Sequence, residues 1–275
     1  MTENNDTTKL PRIEDPRGNL SFIEHGSSGA CPFEIESVGW VYDVPAGAVR
    51  KDELSGGSRQ MIVAMSGSFD VTSDNSAGSS VHLNRSDRAV VTKAGECTTL
   101  SNFSTNSVAM ILADMSQKSA ERKENSEDIK SSHITSDVAN ARIIALPRRR
   151  SESGSVTVAE NGADWLPFDI RRVFYLFDVP ADAERGGHSH FQARELIVAL
   201  SGSFDVVLDD GKHEPRRFTL NRPYTALYVP TGLWRTLDSF SGGSVCMVLT
   251  SERYSEEDYV REYDRFKKLT SEKGD

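Results

Sequence analysis

Cysteine is scarce in this chain of 275 residues, which contains only Cys31, Cys97 and Cys246. Their spacing matches no metal-ligand pattern, and an odd number of cysteines favours a reducing compartment over a disulfide framework. The chain also lacks a long apolar run, and residues 1–9 are polar, so neither a membrane span nor a signal peptide is expected. From these absences we expect a cytoplasmic protein without a membrane partner.

Positive charge is in short supply as well. The chain has 32 Lys and Arg residues against 41 Asp and Glu residues, which gives a formal net charge of −9. A protein that binds the nucleic-acid backbone needs a basic face. We therefore exclude nucleic acid as the main partner of this protein.

The chain contains one domain twice. Gln60–Val71 (QMIVAMSGSFDV) and Glu195–Val206 (ELIVALSGSFDV) are nearly identical. Three shorter segments also occur in both halves and in the same order: Pro32–Ile35 matches Pro167–Ile170, Tyr42–Pro45 matches Phe177–Pro180, and Leu83–Arg85 matches Leu220–Arg222. A repeat over this length indicates two tandem copies of one fold. We expect a disordered tail at 1–9, a first domain with a degenerate site at 10–115, a linker at 116–145, and a second domain with the active site at 146–275.

Within each copy the apolar runs are short and rich in Val, Ile, Phe and Tyr, and clusters of Gly, Asn, Asp, Ser and Pro separate them. This pattern is typical of an antiparallel sandwich or barrel, so the predicted fold class is all-β. A helical period appears only near the end, over Ser255–Phe266, with Ser255 as the expected N-cap. Tyr259, Tyr263 and Phe266 are spaced to share one helix face, which we expect to dock on the second domain.

Two histidines, His188 and His190, precede the apolar run that begins at Glu195. Residues two apart on a strand point to the same face, so the two imidazoles are expected to lie side by side. The glycine pair Gly186–Gly187 permits a tight turn into this strand. Facing inward from a small barrel, such a histidine pair forms either a metal site or an acid/base site.

The spacing of His188, His190, Glu195 and Gly202 resembles the first motif of the cupin superfamily, which implies a jelly-roll or β-barrel fold for both copies. The second motif of metal-binding cupins ends in a histidine, but Arg235 stands at that position here. A guanidinium offers no lone pair to a metal and repels a divalent cation. We therefore predict no metal. A facial triad of His188, His190 and Glu195 keeps a metal-dependent cupin enzyme open as an alternative.

The segment Arg185–His190 (RGGHSH) resembles the Arg-Gly-x-His-Ala-His motif of the sugar-nucleotide 3,4-ketoisomerases, the WxcM-like cupins. The resemblance extends to four further segments: Asp15–Glu24, Arg172–Asp178, Leu220–Pro223 and Tyr254–Tyr263. It implies an isomerase of deoxysugar biosynthesis that moves a keto group between C4 and C3 of a dTDP-linked 4-keto-6-deoxy sugar, without a cofactor. Family members usually carry one cupin per chain, whereas this sequence is a tandem bicupin. Phe191 and Glu195 also depart from the family pattern.

The implied reaction assigns roles to three catalytic residues. Enolisation next to a ketone needs a base with a pKa near neutral, which imidazole provides. We expect His188 to be the base and His190 its relaying or orienting partner. Tyr175 is expected to donate a hydrogen bond to the developing enolate oxygen.

Five further residues are expected to bind the substrate: Arg17, Arg185, Glu195, Tyr228 and Arg235. Arg185 and Arg235 are expected to be cations near the barrel mouth, suited to pyrophosphate or to a carbonyl oxygen. Tyr228 either stacks on the thymine or fills the barrel wall.

The two copies have lost complementary motifs. In the first copy Glu53–Ser55 stands in place of the histidine pair, and in the second copy Ser153 stands in place of Arg17. The resemblance implies dimers that exchange N-terminal strands, and the same exchange between the two copies would bring Arg17 to the site of His188. We expect the tandem cupins to pack as an intramolecular pseudo-dimer, with further dimerisation left open. A bicupin that binds a nucleotide sugar without turning it over is the second alternative.

Overall fold

The computed structural model describes residues 7–26, 30–51, 57–74, 79–115 and 138–272, together with the backbone of 133–135. The described chain is almost entirely β-structure, which confirms the predicted fold class. It divides into two compact units. Unit 1 consists of Met1–Arg12, Ser21–Lys130 and Pro147–Ile170, and unit 2 consists of Ile13–Leu20, Ser131–Leu146 and Arg171–Asp275.

Over the described ranges, short strands follow one another along the chain and one α-helix lies near its end. The first group of strands is β1 (Thr8–Lys9), β2 (Arg12–Ile13), β3 (Asn19–Glu24), β4 (Ser37–Tyr42), β5 (Arg50–Lys51), β6 (Gln60–Ser66), β7 (Phe69–Ser73), β8 (Ser80–Leu83), β9 (Arg88–Val91), β10 (Thr98–Ser101) and β11 (Val108–Ala113). The second group is β12 (His133–Thr135), β13 (Arg142–Ala145), β14 (Arg148–Ser151), β15 (Gly154–Glu160), β16 (Arg172–Phe177), β17 (Arg185–His190), β18 (Glu195–Ser201), β19 (Phe204–Asp209), β20 (Arg216–Leu220), β21 (Thr225–Val229), β22 (Trp234–Asp238), β23 (Val245–Thr250) and β24 (Tyr259–Val260). Helix α1 spans Tyr263–Glu272.

Unit 1 is a sandwich of two sheets. Their strand orders are β1-β9-β6-β11-β4-β15-β14 and β5-β10-β7-β8. Apolar side chains of both sheets form one buried cluster, to which Ile62 and Ile111 contribute from the first sheet and Val71 and Leu100 from the second. The core of unit 1 therefore lies between its sheets.

Unit 2 repeats this architecture. The strands that lie wholly in this unit have the orders β12-β13-β21-β18-β23-β16 and β20-β19-β22-β17-β24. Phe204 stacks on Phe240 with ring centroids 5.4 Å apart, as Phe69 stacks on Phe103 at 5.3 Å in unit 1. The same aromatic pair thus fills the core of each copy.

Each unit contains the opening segment of the other copy. Residues 13–20, from the start of the first copy, belong to unit 2, and Pro147–Ile170, from the start of the second copy, belongs to unit 1. Arg17 is therefore part of the unit that contains His188, as the hypothesis of exchanged strands requires. The pseudo-dimer and any further dimerisation stay predictions.

Two segments differ from the predicted domain bounds. Thr8 and Lys9, expected in the disordered tail, form β1 and pair with β9. Arg142–Ala145, expected in the linker, forms β13 and pairs with β21. Both segments become strands because the edge of a neighbouring sheet offers them hydrogen-bond partners, which their short and partly polar sequences do not reveal. The rest of the tail and most of the linker, like Glu53–Ser55, lie outside the described residues.

The predicted terminal helix begins later than expected. Glu256–Asp258 is a 3₁₀ turn, Tyr259–Val260 is strand β24, and only Tyr263–Glu272 is an α-helix. Strand β24 forms because Tyr259 pairs with His190 of β17, a long-range contact that overrides the local helical period.

Helix α1 docks as predicted, through its aromatic side chains. Tyr263 and Phe266 pack against Trp234, with ring centroids 5.2 Å and 5.6 Å from the indole. The expected N-cap, Ser255, makes no capping bond, and its hydroxyl bonds to the side chain of Glu257 instead. Within the described ranges, none of the helices has the length and apolar character needed to cross a membrane.

Candidate active site

Strand β17 carries the histidine pair, and a bulge at its glycines sets its course. The register against β22 shifts between Gly186 and His188, which leaves Gly187 as the extra residue. Gly186 has a φ of +85°, and a Cβ atom there would lie 2.7 Å from the carbonyl oxygen of Arg235. Glycine therefore allows β17 and β22 to approach closely, which places His188 opposite Arg235.

The two imidazoles lie side by side, as the strand period predicts. The ring centroids of His188 and His190 are 5.0 Å apart and the rings are nearly perpendicular, at 89°. The two residues are 9% and 7% exposed. Both ring nitrogens of His188 are buried, and no side chain of the described residues bonds to either of them. Burial lowers the pKa of His188 well below its usual value, and the charge of Arg235 lowers it further, so the ring is neutral at pH 7.

His190 has a fixed partner, unlike His188. Its Nδ1 lies 2.8 Å from Oδ2 of Asp258. The same carboxylate accepts the backbone N–H groups of Gln192, at 2.6 Å, and Ala193, at 3.2 Å. An ionised carboxylate can only accept hydrogen bonds, so Nδ1 of His190 is the donor. In the neutral ring, Nε2 then carries the lone pair.

Glu195 and Arg235 form a buried ion pair that joins β18 of one sheet to β22 of the other. Arg235 donates through Nε and Nη2 to the two carboxylate oxygens. Burial alone would raise the pKa of Glu195, but the charge and hydrogen bonds of Arg235 hold it well below its usual value. Arg235 is 4% exposed, so it is an interior cation rather than the cation near the barrel mouth that the sequence suggested. The opposite charge of Glu195 offsets part of the desolvation free energy that burying Arg235 costs.

Tyr259 completes the surroundings of the imidazoles, although the sequence did not identify it as a site residue. Its ring centroid lies 4.9 Å from that of His188 and 4.4 Å from that of His190. The guanidinium of Arg261 covers the same ring at 4.2 Å. Asp258 was missed in the same way. The only local signal in this segment was its helical period, which gives no hint of pairing with a distant strand.

The exchanged segment brings two arginines together at the start of β17. Arg17 pairs with Asp15, with Nη2 2.8 Å from Oδ2, and its side chain remains 63% exposed. The Arg185 side chain is only 10% exposed and lies 3.7 Å from Asp15. It donates from Nη1 to the carbonyl oxygen of Gly18 at 2.9 Å. One short turn thus contacts both Arg17 and Arg185. Arg185 lies on β17, three residues before His188.

The two predicted tyrosines have other neighbours. Tyr175 on β16 is fully buried, and its ring centroid lies 5.9 Å from that of Phe177. The ring of Tyr228 on β21 lies under the guanidinium of Arg142, at 4.6 Å. These contacts tie neither tyrosine to the imidazole pair, so the roles of Tyr175 and Tyr228 stay predictions.

The residues present do not fit a metal centre. Over the described part of the chain, no group of three or more His, Cys, Asp or Glu side chains is arranged to hold a metal ion. The alternative triad needs the carboxylate of Glu195, and Arg235 occupies both of its oxygens. A triad of His188, His190 and Glu195 therefore lacks a free carboxylate in this arrangement.

Comparisons with known proteins identify relatives of both halves of the chain. The family model for WxcM-like, C-terminal domains of the FdtA type matches residues 3–132 and again residues 139–271. A curated relative from Aneurinibacillus thermoaerophilus is a TDP-4-oxo-6-deoxy-alpha-D-glucose-3,4-oxoisomerase. It is 39% identical over 127 residues, which make up 46% of this chain and 90% of the relative.

Solved structures of ketoisomerases each match about half of this chain. The WlaRB TDP-quinovose 3,4-ketoisomerase from Campylobacter jejuni is 37% identical, over 48% of this chain and 99% of its own, with a TM-score of 0.46. The sugar 3,4-ketoisomerase QdtA from Thermoanaerobacterium thermosaccharolyticum, solved with TDP, is 33% identical over 50% of this chain and 98% of its own, with a TM-score of 0.47. The family model and the curated relative confirm the resemblance found in the sequence, and the chain belongs to the WxcM-like FdtA family, whose domain it carries twice.

Proposed function

We propose that this protein is a sugar-nucleotide 3,4-ketoisomerase, which moves the keto group between C4 and C3 of a dTDP-linked 4-keto-6-deoxyhexose. Membership of the family and a curated relative named for this reaction support the proposal. The observation that carries it is the imidazole of His188, which is buried and neutral and to which no side chain of the described residues bonds. A cytoplasmic location remains a prediction from the sequence.

The reaction needs a base but no change of oxidation state overall. A proton leaves C3, a proton is returned at C4, and the hydroxyl hydrogen moves from O3 to O4 through an enediol. The C3 proton is activated by the neighbouring ketone, so a base with a suitable pKa is sufficient. Among the described residues no side chain bonds to the ring nitrogens of His188, and its lowered pKa keeps the ring unprotonated and ready to accept this proton.

His190 is the second proton carrier in this proposal. Its ring lies 5.0 Å from that of His188, between centroids, and its Nδ1 is engaged by Asp258. Nε2 is therefore the atom that exchanges a proton with the sugar on its way to C4 or O4. Tyr175 retains its proposed role as a donor to the enolate oxygen. Arg235 and Glu195 supply a fixed dipole beside the two rings.

The nucleotide end of the substrate is assigned to the turn that holds Arg17 and Arg185. Arg17 is exposed and Arg185 is partly so, and a pyrophosphate would bind guanidinium groups through charge-assisted hydrogen bonds. Arg235 does not suit this role, because it is buried in the interior, whereas the side chain of Arg17 is exposed. Tyr228 remains the candidate for stacking on the thymine.

The proposal is tested by incubating the purified protein with dTDP-4-keto-6-deoxyglucose in D₂O and following the sugar by ¹³C NMR. We expect the keto carbon to move from C4 to C3, and deuterium to enter at C4. His188→Asn should lower kcat by about 10²–10⁴-fold, because one proton-transfer group is lost. Affinity for TDP should change by less than about threefold, since His188 touches the sugar and not the nucleotide. His82→Asn, the same substitution at an exposed histidine of unit 1, is the control and should leave kcat unchanged.

Two outcomes would contradict the proposed reaction, and a third would contradict the proposed role of His188. Tight binding of TDP without any rearrangement by the wild type would favour the non-catalytic bicupin. Turnover that a chelator abolishes and a divalent metal restores would favour the metal-dependent enzyme. An unchanged rate in His188→Asn would remove His188 from the mechanism while leaving the reaction in place.

A further inference from the structure

Asp258 is the one carboxylate in direct contact with the imidazole pair that is free of a cation in the bonds described above. Its two oxygens accept three N–H donors, from Nδ1 of His190 and from the backbone of Gln192 and Ala193. The carbonyl oxygen of Asp258 also accepts the backbone N–H of Phe191, at 3.0 Å. The next residue, Tyr259, pairs with His190 in the sheet. Asp258 is therefore attached to the histidine strand through both its side chain and its backbone.

We propose that Asp258 is a positioning residue for His190, and this inference rests on the function proposed above. By accepting the Nδ1 proton, the carboxylate fixes the tautomer in which Nε2 carries the lone pair. Nε2 lies 3.5 Å from Oε1 of Glu195, whose charge favours a proton on this nitrogen during the transfer. When Nε2 takes up a proton, the adjacent carboxylate stabilises the imidazolium that forms. When Nε2 gives the proton to the sugar, the ring returns to the same tautomer. Asp258 itself touches no substrate atom.

A second aspartate shows that the local geometry is not sufficient for such a role. Asp210 also accepts from Nδ1 of a histidine, His213, at 2.7 Å, and from the backbone N–H groups of Lys212 and His213. The His213 side chain is 78% exposed and lies in a hairpin. The His190 side chain is 8% exposed and lies against a second imidazole and Tyr259. The same set of bonds caps a turn in one place and orients a buried proton carrier in the other.

The first test is the tautomer of His190 in the wild-type protein, measured from the ¹⁵N shifts of its ring nitrogens. We expect a protonated Nδ1 and an unprotonated Nε2 in the neutral ring. Observation of the opposite tautomer would overturn the proposal without any variant. This measurement does not depend on turnover, so it distinguishes failure of the positioning role from failure of the proposed function.

The second test is Asp258→Asn. The amide can donate to the ring as well as accept from it, so the tautomer of His190 is no longer fixed. We expect kcat to fall by up to about 10²–10⁴-fold, the full contribution of His190 as the proton-transfer group that Asp258 positions, with KM unchanged within about threefold. Asp258→Glu, which restores a carboxylate, should regain at least about tenfold of the loss. Asp210→Asn removes the equivalent bonds outside the site and should leave kcat unchanged.

The outcomes separate positioning from a purely structural role. If Asp258→Asn retains the wild-type kcat, or keeps the wild-type tautomer while losing thermal stability, Asp258 only holds the turn and the proposal fails. If Asp258→Asn does not fold, Asp258→Glu decides: a shift of the acidic limb of its pH–rate profile supports the proposal, and an unchanged profile overturns it.

Discussion

The two units build the same framework and place different chemistry in it. In unit 2, Arg185 of β17 donates to the exchanged turn at Gly18. In unit 1, Arg50 of β5 donates to the equivalent turn one residue earlier, at 3.1 Å from the carbonyl oxygen of Ser153. Gly18 and Gly154 occupy equivalent positions in the two turns, and their φ angles are nearly equal, +110° and +113°. The contact between an arginine and the opening segment of the other copy is therefore a property of the fold.

The difference lies one layer deeper, where the sheets of each unit face each other. Glu195 and Arg235 form an ion pair in unit 2. The residues at the repeated positions in unit 1 are Gln60 and Thr98, and Thr98 donates to the side chain of Gln60 at 3.3 Å. The fold thus requires only that these two positions satisfy each other's polar groups. The charges of unit 2 belong to the site that contains the histidine pair.

The largest effect on stability is expected when this ion pair is broken on one side only. Arg235→Thr leaves Glu195 buried without its partner and should lower the free energy of unfolding by about 3–5 kcal/mol. The double variant Glu195→Gln with Arg235→Thr recreates the pair of unit 1. It should recover about 2 kcal/mol of that loss, because no unpaired charge remains. Urea unfolding at pH 7 measures both values.

Thr98→Val provides the matched control in unit 1. It removes a neutral hydrogen bond and should cost about 1 kcal/mol. If the double variant is no more stable than Arg235→Thr alone, the charge of Glu195 is not what destabilises the single variant. The proposed equivalence of the two polar pairs would then be wrong.

A smaller effect is expected at the two exchanged turns. An alanine Cβ at Gly18 would lie 2.8 Å from the Cα of Val179, whereas at Gly154 its nearest neighbour would be a carbonyl oxygen at 3.1 Å. Both positions also have a φ that disfavours residues with a side chain. Each alanine variant should cost about 1–3 kcal/mol, with Gly18→Ala the more costly. Thermal unfolding measures the stability.

Activity then separates the two turns. Gly18→Ala disturbs the segment that holds Arg17 against Arg185, so KM for the nucleotide sugar should rise. Gly154→Ala affects the equivalent turn of unit 1 and should leave KM unchanged. Equal rises in KM for the two variants would mean that the exchanged turn of unit 2 has no special role in binding.

The sequence predicted the parts of this molecule that depend on local pattern. The repeat between Gln60–Val71 and Glu195–Val206 gave the tandem fold. The strand period of two placed His188 and His190 on one face. The resemblance to a family that exchanges N-terminal strands, together with the retained Arg17 and the lost arginine at Ser153, led to the hypothesis that the two copies exchange their opening segments.

What the sequence did not reveal depends on contacts between distant strands. The pairing of Tyr259 with His190, and the bond from His190 to Asp258, join segments far apart in the chain. The aromatic period over the same segment favoured a helix. The burial of Arg235 was missed for a related reason, because the charge that compensates it comes from Glu195 on another sheet. A single sequence has no local signal for such pairs.

The smallest effect is expected in the pH dependence of stability, and it again contrasts the site with the rest of the chain. The pKa of His188 is lowered by burial and by the charge of Arg235. Below pH ~6.5, the ordinary pKa of histidine, the unfolded chain takes up a proton at this residue while the folded chain does not. The free energy of unfolding therefore falls as the pH falls, by up to about 1.4 kcal/mol per pH unit from this group.

His188→Asn removes this contribution, so its free energy of unfolding should decline less steeply than that of the wild type between pH 6.5 and pH 5. The expected difference in slope corresponds to about one proton that the unfolded wild-type chain binds at His188 and the folded chain does not. Above pH 7 His188 is neutral in the folded and in the unfolded chain. The free energies of unfolding of the wild type and of His188→Asn should then change with pH in parallel, which provides an internal control. Urea unfolding at half-unit pH steps measures the two slopes. Parallel curves below pH 6.5 as well would mean that His188 titrates in the folded chain as it does in the unfolded one. The imidazole would then not be held as the neutral base on which the contrast between the two units depends.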